Sequence, residues 1–147
     1  MSLMLRALFA AVLLLPLAFA PAGATEKHRL ALQISDNDAG KMNAVLNVAA
    51  NVSKYYSDKG DEVEIQIVAF NAGLNMLRQD KSPVLERLKS FKQGMPYVSF
   101  MACENTLEAM TRTEGKEPPL VDNAERVKAG VVTLIELAEK GWTIVRP

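Results

Sequence analysis

The chain has 147 residues, nearly half of them hydrophobic, and its 17 basic and 17 acidic side chains give a formal net charge of zero. This length suits one domain with a single core. The charges are mixed along the chain without a basic stripe, so neither nucleic acid nor an anionic membrane surface is an expected partner. The single cysteine can form no internal disulfide and belongs to no Cys-x-x-Cys redox motif.

The first 24 residues have the pattern of a secretory signal peptide. One positive charge, Arg6, precedes an almost wholly apolar run over residues 7–19, and Ala22-Gly23-Ala24 gives the small-x-small pattern of a signal-peptidase site. The alternative, an uncleaved membrane anchor, is disfavoured because the run is shorter than the ~20 residues that a span needs. We therefore expect cleavage after Ala24 and an exported, periplasmic domain over residues 25–147 that makes no membrane contact.

Strands and helices alternate along this domain. Apolar periodicity predicts strands over residues 28–35, 62–70, 97–103 and 142–145. It predicts helices from the turn at 35–38 to about residue 57, from Pro83 to just before Gly94, and over 104–112, with a short helical turn at 74–78. Residues 121–140 fit one long helix, but Gly130 interrupts it and Ala124–Val127 fits a short strand equally well. The alternation predicts an α/β fold whose parallel sheet is flanked by helices with right-handed crossovers.

A site is expected at one edge of this sheet. The loops after parallel strands share an edge, and ligands collect there in α/β proteins. The loops after the first three strands supply the candidate binding residues, which are Ser35, Asp36, Asn71, Gly73 and Asn105. Gly73 would let the backbone approach a ligand closely. Asp36 and Asp38 offer oxygen ligands to a hard cation, but no further carboxylate lies nearby in the sequence. No metal site is therefore predicted, and without a Gly-rich fingerprint no cofactor is predicted either.

Cys103 is the candidate catalytic residue. It ends the third predicted strand and begins a helix, whose free N–H groups favour a thiolate over a thiol. His28, the only histidine, lies at the start of the first predicted strand, so a Cys–His pair is not expected. The carboxylates of Glu104 and Glu108 would raise the thiol pKa against the pull of the helix. The alternative is an inert cysteine that packs in the core, as free cysteines often do.

Several segments resemble the DsrE/DsrF-like family of small sulfur-metabolism proteins, and most closely its exported single-domain members. They are Val63–Gly73, the Pro83–Phe91 helix, the Tyr97–Thr106 segment and the closing residues 141–147. The resemblance covers nearly all of residues 25–147. It implies a flavodoxin-like three-layer sandwich with a mainly parallel sheet of four to five strands. It also favours the strand at Ala124–Val127, with the last helix starting near Gly130, and assembly into a homo-oligomer, a trimer or a hexamer.

The resemblance also implies a function. Sulfur-relay members of the family carry sulfane sulfur as a persulfide on a cysteine at the end of the matching strand, where this chain has Cys103. A sulfur donor or acceptor protein would then be a partner. The chain departs from the family pattern because Glu104 stands where close relatives often have glycine, and because an exported chain would not meet the cytoplasmic relay partners. A non-catalytic oligomeric scaffold and a small-ligand-binding module of the same fold remain alternatives, and enzymatic activity stays open.

Overall fold

The computed structural model describes residues 27–147. The predicted signal peptide and its cleavage site lie outside the described residues. The five strands are β1 (Lys27–Ile34), β2 (Glu62–Ala69), β3 (Val98–Cys103), β4 (Ala124–Val127) and β5 (Thr143–Val145). The helices are α1 (Ala39–Lys59), α2 (Leu85–Gly94), α3 (Glu104–Glu114) and α4 (Gly130–Glu139), with a 3₁₀ helix over Asn71–Leu77. None of these helices is both long enough and apolar enough to cross a membrane.

All five strands are parallel and lie in the order β4-β3-β2-β1-β5. The chain steps in one direction from β1 to β4 and then returns across the sheet to β5. Right-handed crossovers place the helices of the forward steps on one face and the helix of the return step on the other. The packing agrees with this rule, since α1, the 3₁₀ helix, α2 and α3 contribute to one apolar cluster and α4 to a second.

The expected fold class is confirmed: the protein is an α/β, flavodoxin-like three-layer sandwich with a five-stranded parallel sheet. The two helical layers are unequal, because α4 alone covers its face. Its Leu134 and Leu137 pack with Trp142 on Ala31, Val68 and Met101 of the sheet. The ambiguous region near residue 124 contains a short strand followed by a helix that begins at Gly130.

The 3₁₀ helix spans Asn71–Leu77 and not the predicted 74–78, and one boundary each of α2 and α3 was also wrong. Helix α2 begins at Leu85 and not at Pro83, because the Ser82 hydroxyl accepts a hydrogen bond from the Val84 N–H at 3.3 Å and closes a turn before the helix. Helix α3 runs to Glu114, beyond the predicted 112, and ends where Gly115 adopts a left-handed φ of 74°. Neither change moves Cys103 from the junction of β3 and α3.

The strand register brings the carboxyl ends of four strands level. Ile34 pairs with Ala69, Ala69 with Ala102, and Cys103 with Val127. The ends of β1, β2, β3 and β4 therefore form one continuous edge, and the loops that leave this edge are the ones in which the site residues were expected.

Candidate functional site

The cleft beside Cys103 lies at the topological switch point of the sheet. Strands β3 and β4 are neighbours, but α3 follows β3 onto one face and α4 follows β4 onto the other. The two connections diverge and leave a crevice, which is where α/β proteins bind ligands. The cleft here has a volume of about 550 Å³. Phe70, Met110 and Val131 give it apolar walls, and Cys103 and Glu114 also line it.

The sulfur of Cys103 lies at the amino-terminal ends of two helices. Cys103 is the N-cap residue of α3, and its Sγ accepts a hydrogen bond of 3.3 Å from the backbone N–H of Gly130, the first residue of α4. The amino-terminal end of a helix carries a partial positive charge. Two such ends therefore stabilise negative charge on one sulfur, although only 5% of the residue is exposed.

These contacts lower the pKa of the Cys103 thiol below its ordinary value. Burial is the largest single influence and by itself raises the pKa, because it disfavours the charged form. It is outweighed by the Thr106 hydroxyl, the Gly130 N–H and the N–H groups of Thr106 and Asn105 acting together. The N–H groups at the start of α3 lower this pKa although the Cys103 side chain forms no capping hydrogen bond with them. The net result is a thiol that loses its proton more readily than an ordinary cysteine does.

Glu104 and Glu108, which were expected to raise this pKa, are oriented towards a lysine. Their carboxylate oxygens lie 3.9 and 3.6 Å from Nζ of Lys128. The pKa of Cys103 is nevertheless lowered, by hydrogen bonding at its sulfur. The helix ends and the Thr106 hydroxyl therefore dominate over the acidic residues that follow the cysteine.

The loop after β2 is tied to the start of α3 by one hydrogen bond. The backbone N–H of Asn71 donates to Oγ1 of Thr106 at 3.0 Å. Asn71 has a left-handed φ of 49°, which no other non-glycine residue in the described part of the chain shows. Asparagine tolerates this conformation better than most residues. Both residues line the cleft beside Cys103.

The structure places the predicted site residues in two groups. Asn71, Cys103 and Asn105 line the same cleft. Ser35 and Asp36, from the loop after β1, are not among the residues that line it. Asp36 forms ion pairs with Lys41 at 3.2 Å and Arg146 at 2.9 Å, and hydrogen bonds from Arg146 and then Lys41 lower its pKa.

Gly73 also lies away from the cleft, and its missing side chain serves packing. A Cβ on Gly73 would lie 2.3 Å from the carbonyl oxygen of Ile34 and 2.8 Å from the Cα of Ser35. The close approach that glycine allows is therefore an approach to the backbone at the end of β1. Asp38 is occupied in a similar way, because its Oδ1 caps α1 by accepting from the Lys41 N–H at 2.8 Å.

The buried Arg78 and its partners border the cleft and could not be found from the sequence. Its side chain is 1% exposed and forms paired hydrogen bonds to the carboxylates of Asp80 and Glu114. Glu114 lines the cleft, and hydrogen bonds from Arg78 and then Lys81 lower its pKa to about 2. The wall of the cleft therefore keeps a charged carboxylate at all but the most acidic pH.

No imidazole lies near the thiol. His28 is the second residue of β1 and lies at the amino-terminal edge of the sheet, opposite the edge that holds Cys103. Its ring stacks on Tyr56 with centroids 3.8 Å apart. The part of the chain that the structure describes also contains no group of three or more His, Cys, Asp or Glu side chains placed to hold a metal ion. The hydrogen bond that the structure shows at the sulfur comes from the backbone N–H of Gly130.

Together the fold and site define an α/β protein with a flavodoxin-like fold and a cysteine at its switch-point cleft. A solved structure of similar fold is that of MTH1491, a protein of unknown function from Methanobacterium thermoautotrophicum. It aligns with a TM-score of 0.66 and 26% sequence identity, over 82% of this chain and 99% of that one. No protein-family model matches the chain, and no curated protein matches it.

Proposed function

We propose that the protein is an exported, DsrE-like sulfur carrier that accepts sulfane sulfur as a persulfide on Cys103. The observation that carries the proposal is the position of Sγ at the amino-terminal ends of α3 and α4, in the wall of a cleft of about 550 Å³. A thiolate is the form that attacks sulfur. The hydrogen bonds around Cys103 favour that form without a histidine base.

The transfer balances without any oxidant. The Cys103 thiolate attacks the outer sulfur of a donor persulfide, R–S–SH. A new S–S bond forms between Sγ and that sulfur, while the S–S bond of the donor breaks. The donor leaves as the thiolate R–S⁻ with the electron pair, and Cys103 becomes Cys–S–SH. The reverse exchange with an acceptor thiolate would deliver the sulfur.

The surroundings of Cys103 suit a persulfide as well as a thiolate. The N–H groups of the two helix ends favour an anionic terminal sulfur. Phe70, Met110 and Val131 give the cleft an apolar, polarisable lining, and the sulfur of methionine packs well against other soft groups. The donor would be a small persulfide or a persulfide on a partner protein that enters the cleft.

The proposal includes export and self-assembly. Cleavage after Ala24 would deliver the domain to the periplasm. On α4, Val131, Val132 and Ile135 are each more than half exposed, and an apolar helix face of this kind favours cover by another protein surface. We propose that a second copy of the chain, in a trimer or hexamer, covers this face of α4.

A non-catalytic scaffold is the second candidate function, and one observation favours it. Cys103 is only 5% exposed, which also fits a cysteine that merely packs. In that case the protein would act through its oligomeric surface alone, and the cleft would be unused or would bind a small ligand without reaction at sulfur.

The mass of protein isolated from its native compartment tests the proposed function. A carrier population should lose about 32 Da, one sulfur, when treated with a reductant. The variant Cys103→Ser, isolated in the same way, should show no such loss. A wild-type mass that the reductant leaves unchanged, with the same protein also refusing sulfur from a persulfide donor, would contradict the carrier and favour the scaffold.

A further inference from the structure

The cleft beside Cys103 runs along the whole of helix α3. The α3 residues that line it form two rows, each with a spacing of four, and therefore share one face of the helix. These residues are Asn105, Ala109 and Thr113 in one row and Thr106, Met110 and Glu114 in the other. The helix has 11 residues, which gives it a length of ~16 Å. The cleft is therefore elongated, with Cys103 at one end and Glu114 at the other.

The two ends of the cleft have opposite electrostatic character. At the Cys103 end lie the amino-terminal ends of α3 and α4, which carry partial positive charge. At the other end lies Glu114, the last residue of α3, where the helix dipole is negative and the side chain adds a carboxylate. Of the described residues that line the cleft, Glu114 alone has a charged side chain. A ligand that matches the cleft therefore has an anionic sulfur at one end and a cationic group at the other.

The carboxylate of Glu114 is available to such a ligand although it already has partners. Arg78 bonds both carboxylate oxygens, but its side chain is only 1% exposed, so a ligand in the cleft meets the carboxylate and not the guanidinium. Arg78 also shares its charge with Asp80. The remaining cation is Lys81, whose Nζ lies 3.0 Å from Oε1 and whose side chain is half exposed. An exposed ion pair of this kind is weak, so the cation of a ligand can displace Lys81.

We propose that the cleft binds an elongated sulfur donor that carries a positively charged group at the end remote from its reacting sulfur, and that Glu114 selects this group. The inference rests on the proposed function, which makes the ligand a sulfur donor, and it adds the charge and the length of that donor. Glu114 is then a specificity-determining residue. It pairs with the cationic end of the donor and takes no part in the chemistry at Cys103.

The test is disulfide exchange between Cys103 of the reduced, folded protein and a matched set of alkyl pyridyl disulfides. One pair carries a decyl chain that ends in an ammonium or a hydroxyl group, and a second pair carries the same groups on an ethyl chain. The Cys103 thiolate attacks the alkyl-bound sulfur, and a new S–S bond forms while that of the reagent breaks. The pyridinethiolate leaves with the electron pair and takes up a proton, and its absorbance gives the rate.

The measured quantity is the ratio of the rate constants for the ammonium and hydroxyl reagents of equal chain length. Both reagents report the same thiolate, so a change in the pKa of Cys103 cancels from the ratio. With the decyl chain the ratio should be roughly two to five in the wild type, the effect of one partly exposed ion pair, and should fall close to one in Glu114→Gln. The ethyl chain is too short to span α3, so its ratio should be the same in both proteins.

Two variants control this result. Glu108→Gln removes a carboxylate from the same helix, but Glu108 lies outside the lining of the cleft and faces Lys128. It should keep the wild-type ratio. Lys81→Met removes the competing cation and should raise the decyl ratio above that of the wild type. Circular dichroism checks that each variant is folded. If Glu114→Gln does not fold, because Arg78 loses a charged partner, Lys81→Met decides the proposal.

A decyl ratio that is equal in wild type and Glu114→Gln, or that Lys81→Met leaves unchanged, would overturn the proposal. A folded protein whose Cys103 reacts with none of the reagents would also overturn it, since the cleft would then be closed to a donor. The outcome is separable from sulfur transfer. If the ratios behave as expected but Cys103 takes up no sulfane sulfur, the charge selectivity stands and the carrier function fails. If sulfur is taken up without this selectivity, the carrier function stands and the role of Glu114 fails.

Discussion

The backbone N–H of Gly130 donates a 3.3 Å hydrogen bond to the Sγ of Cys103, across 27 residues of sequence. It joins the end of β3 to the first turn of α4 on the other side of the sheet. Helix α4 thereby influences the charge state of a sulfur that belongs to the N-cap residue of α3. The relationship exists because the chain reverses direction after β4.

Removing this donor should raise the pKa of Cys103. Gly130 is the first residue of α4, where proline is tolerated, and Ala129 before it has φ −147° and ψ 119°, the region that precedes proline. Gly130→Pro therefore removes the N–H with little cost to the helix. Its alkylation midpoint should lie at higher pH than that of the control.

The control is Gly130→Ala, which keeps the N–H. An added Cβ at this position lies 3.0 Å from the Cβ of Phe70, and both variants carry that contact. The difference between them therefore reports the lost donor together with the ring Cδ of proline, which takes the place of the N–H proton beside Sγ. Identical pH profiles for the two variants would show that the Gly130 N–H has no influence on the sulfur.

Gly73→Ala should destabilise the protein strongly. The new Cβ would lie 2.3 Å from the Ile34 carbonyl oxygen, and this neighbour is backbone that cannot rotate away. Overpacking costs about 1–3 kcal/mol or more, and we expect the upper end or beyond in urea unfolding. Gly94→Ala is the control, since its Cβ would have no neighbour within 4 Å. If Gly73→Ala were as stable as wild type, the segment around residue 73 would be able to move away from the backbone at the end of β1, which contradicts the prediction.

The cleft residues were predicted from the sequence on the argument that the loops after parallel strands share one edge of the sheet. Only some of the predicted residues line the cleft. Asn71 and Asn105 line the cleft with Cys103 because β2 and β3 are neighbours in the sheet. Ser35 and Asp36 did not, because β2 separates β1 from β3. Strand order depends on which strands pair in space, and the apolar periodicity of each strand carries no information on that pairing.

The same limit explains what the sequence did not reveal. The apolar pattern showed Gly130 only as an interruption of a helix, and the resemblance placed the start of the last helix near it. Its contact with the sulfur could not be predicted, because that contact depends on the return crossover to β5. Gly73 was expected to admit a ligand, whereas it admits the chain itself. Arg78 gave no signal, because a buried arginine is recognised only once Asp80 and Glu114 are brought to it by the fold.

The free energy of unfolding should fall at acid pH because of Glu114. Its pKa falls from an ordinary value of 4.5 to about 2 in the folded protein, chiefly through Arg78. The folded chain thus binds this proton less tightly than the unfolded chain. The stabilisation is complete above about pH 4.5 and is lost as the pH falls towards about 2.

Unfolding by urea across this pH window measures the effect. Glu114→Gln should reduce the loss of stability on acidification, and at neutral pH it should be less stable than wild type because the buried Arg78 loses a charged partner. An unchanged slope of stability against pH in the variant would show that the Arg78–Glu114 pair contributes nothing to acid sensitivity.

A charge on the outer face of α4 should separate the copies of a homo-oligomer. Ile135 is 53% exposed, so Ile135→Glu leaves the core of the subunit intact. Light scattering should show a trimer or hexamer for wild type and a smaller species for the variant. Gln93→Glu, on the exposed end of α2, adds the same charge elsewhere and should assemble normally. A wild-type monomer at micromolar concentration would contradict assembly.

Sulfur transfer to the reduced, folded protein tests the sulfur-carrier account most directly. The protein is mixed with a small thiol persulfide, the excess donor is removed, and the mass of the peptide that contains Cys103 is measured after digestion under conditions that preserve persulfides. The account predicts an added mass of about 32 Da on that peptide, no addition in Cys103→Ser, and loss of the added sulfur to an acceptor thiol. If the folded protein takes up no sulfur while the unfolded chain does, Cys103 is a core cysteine and the carrier function is wrong.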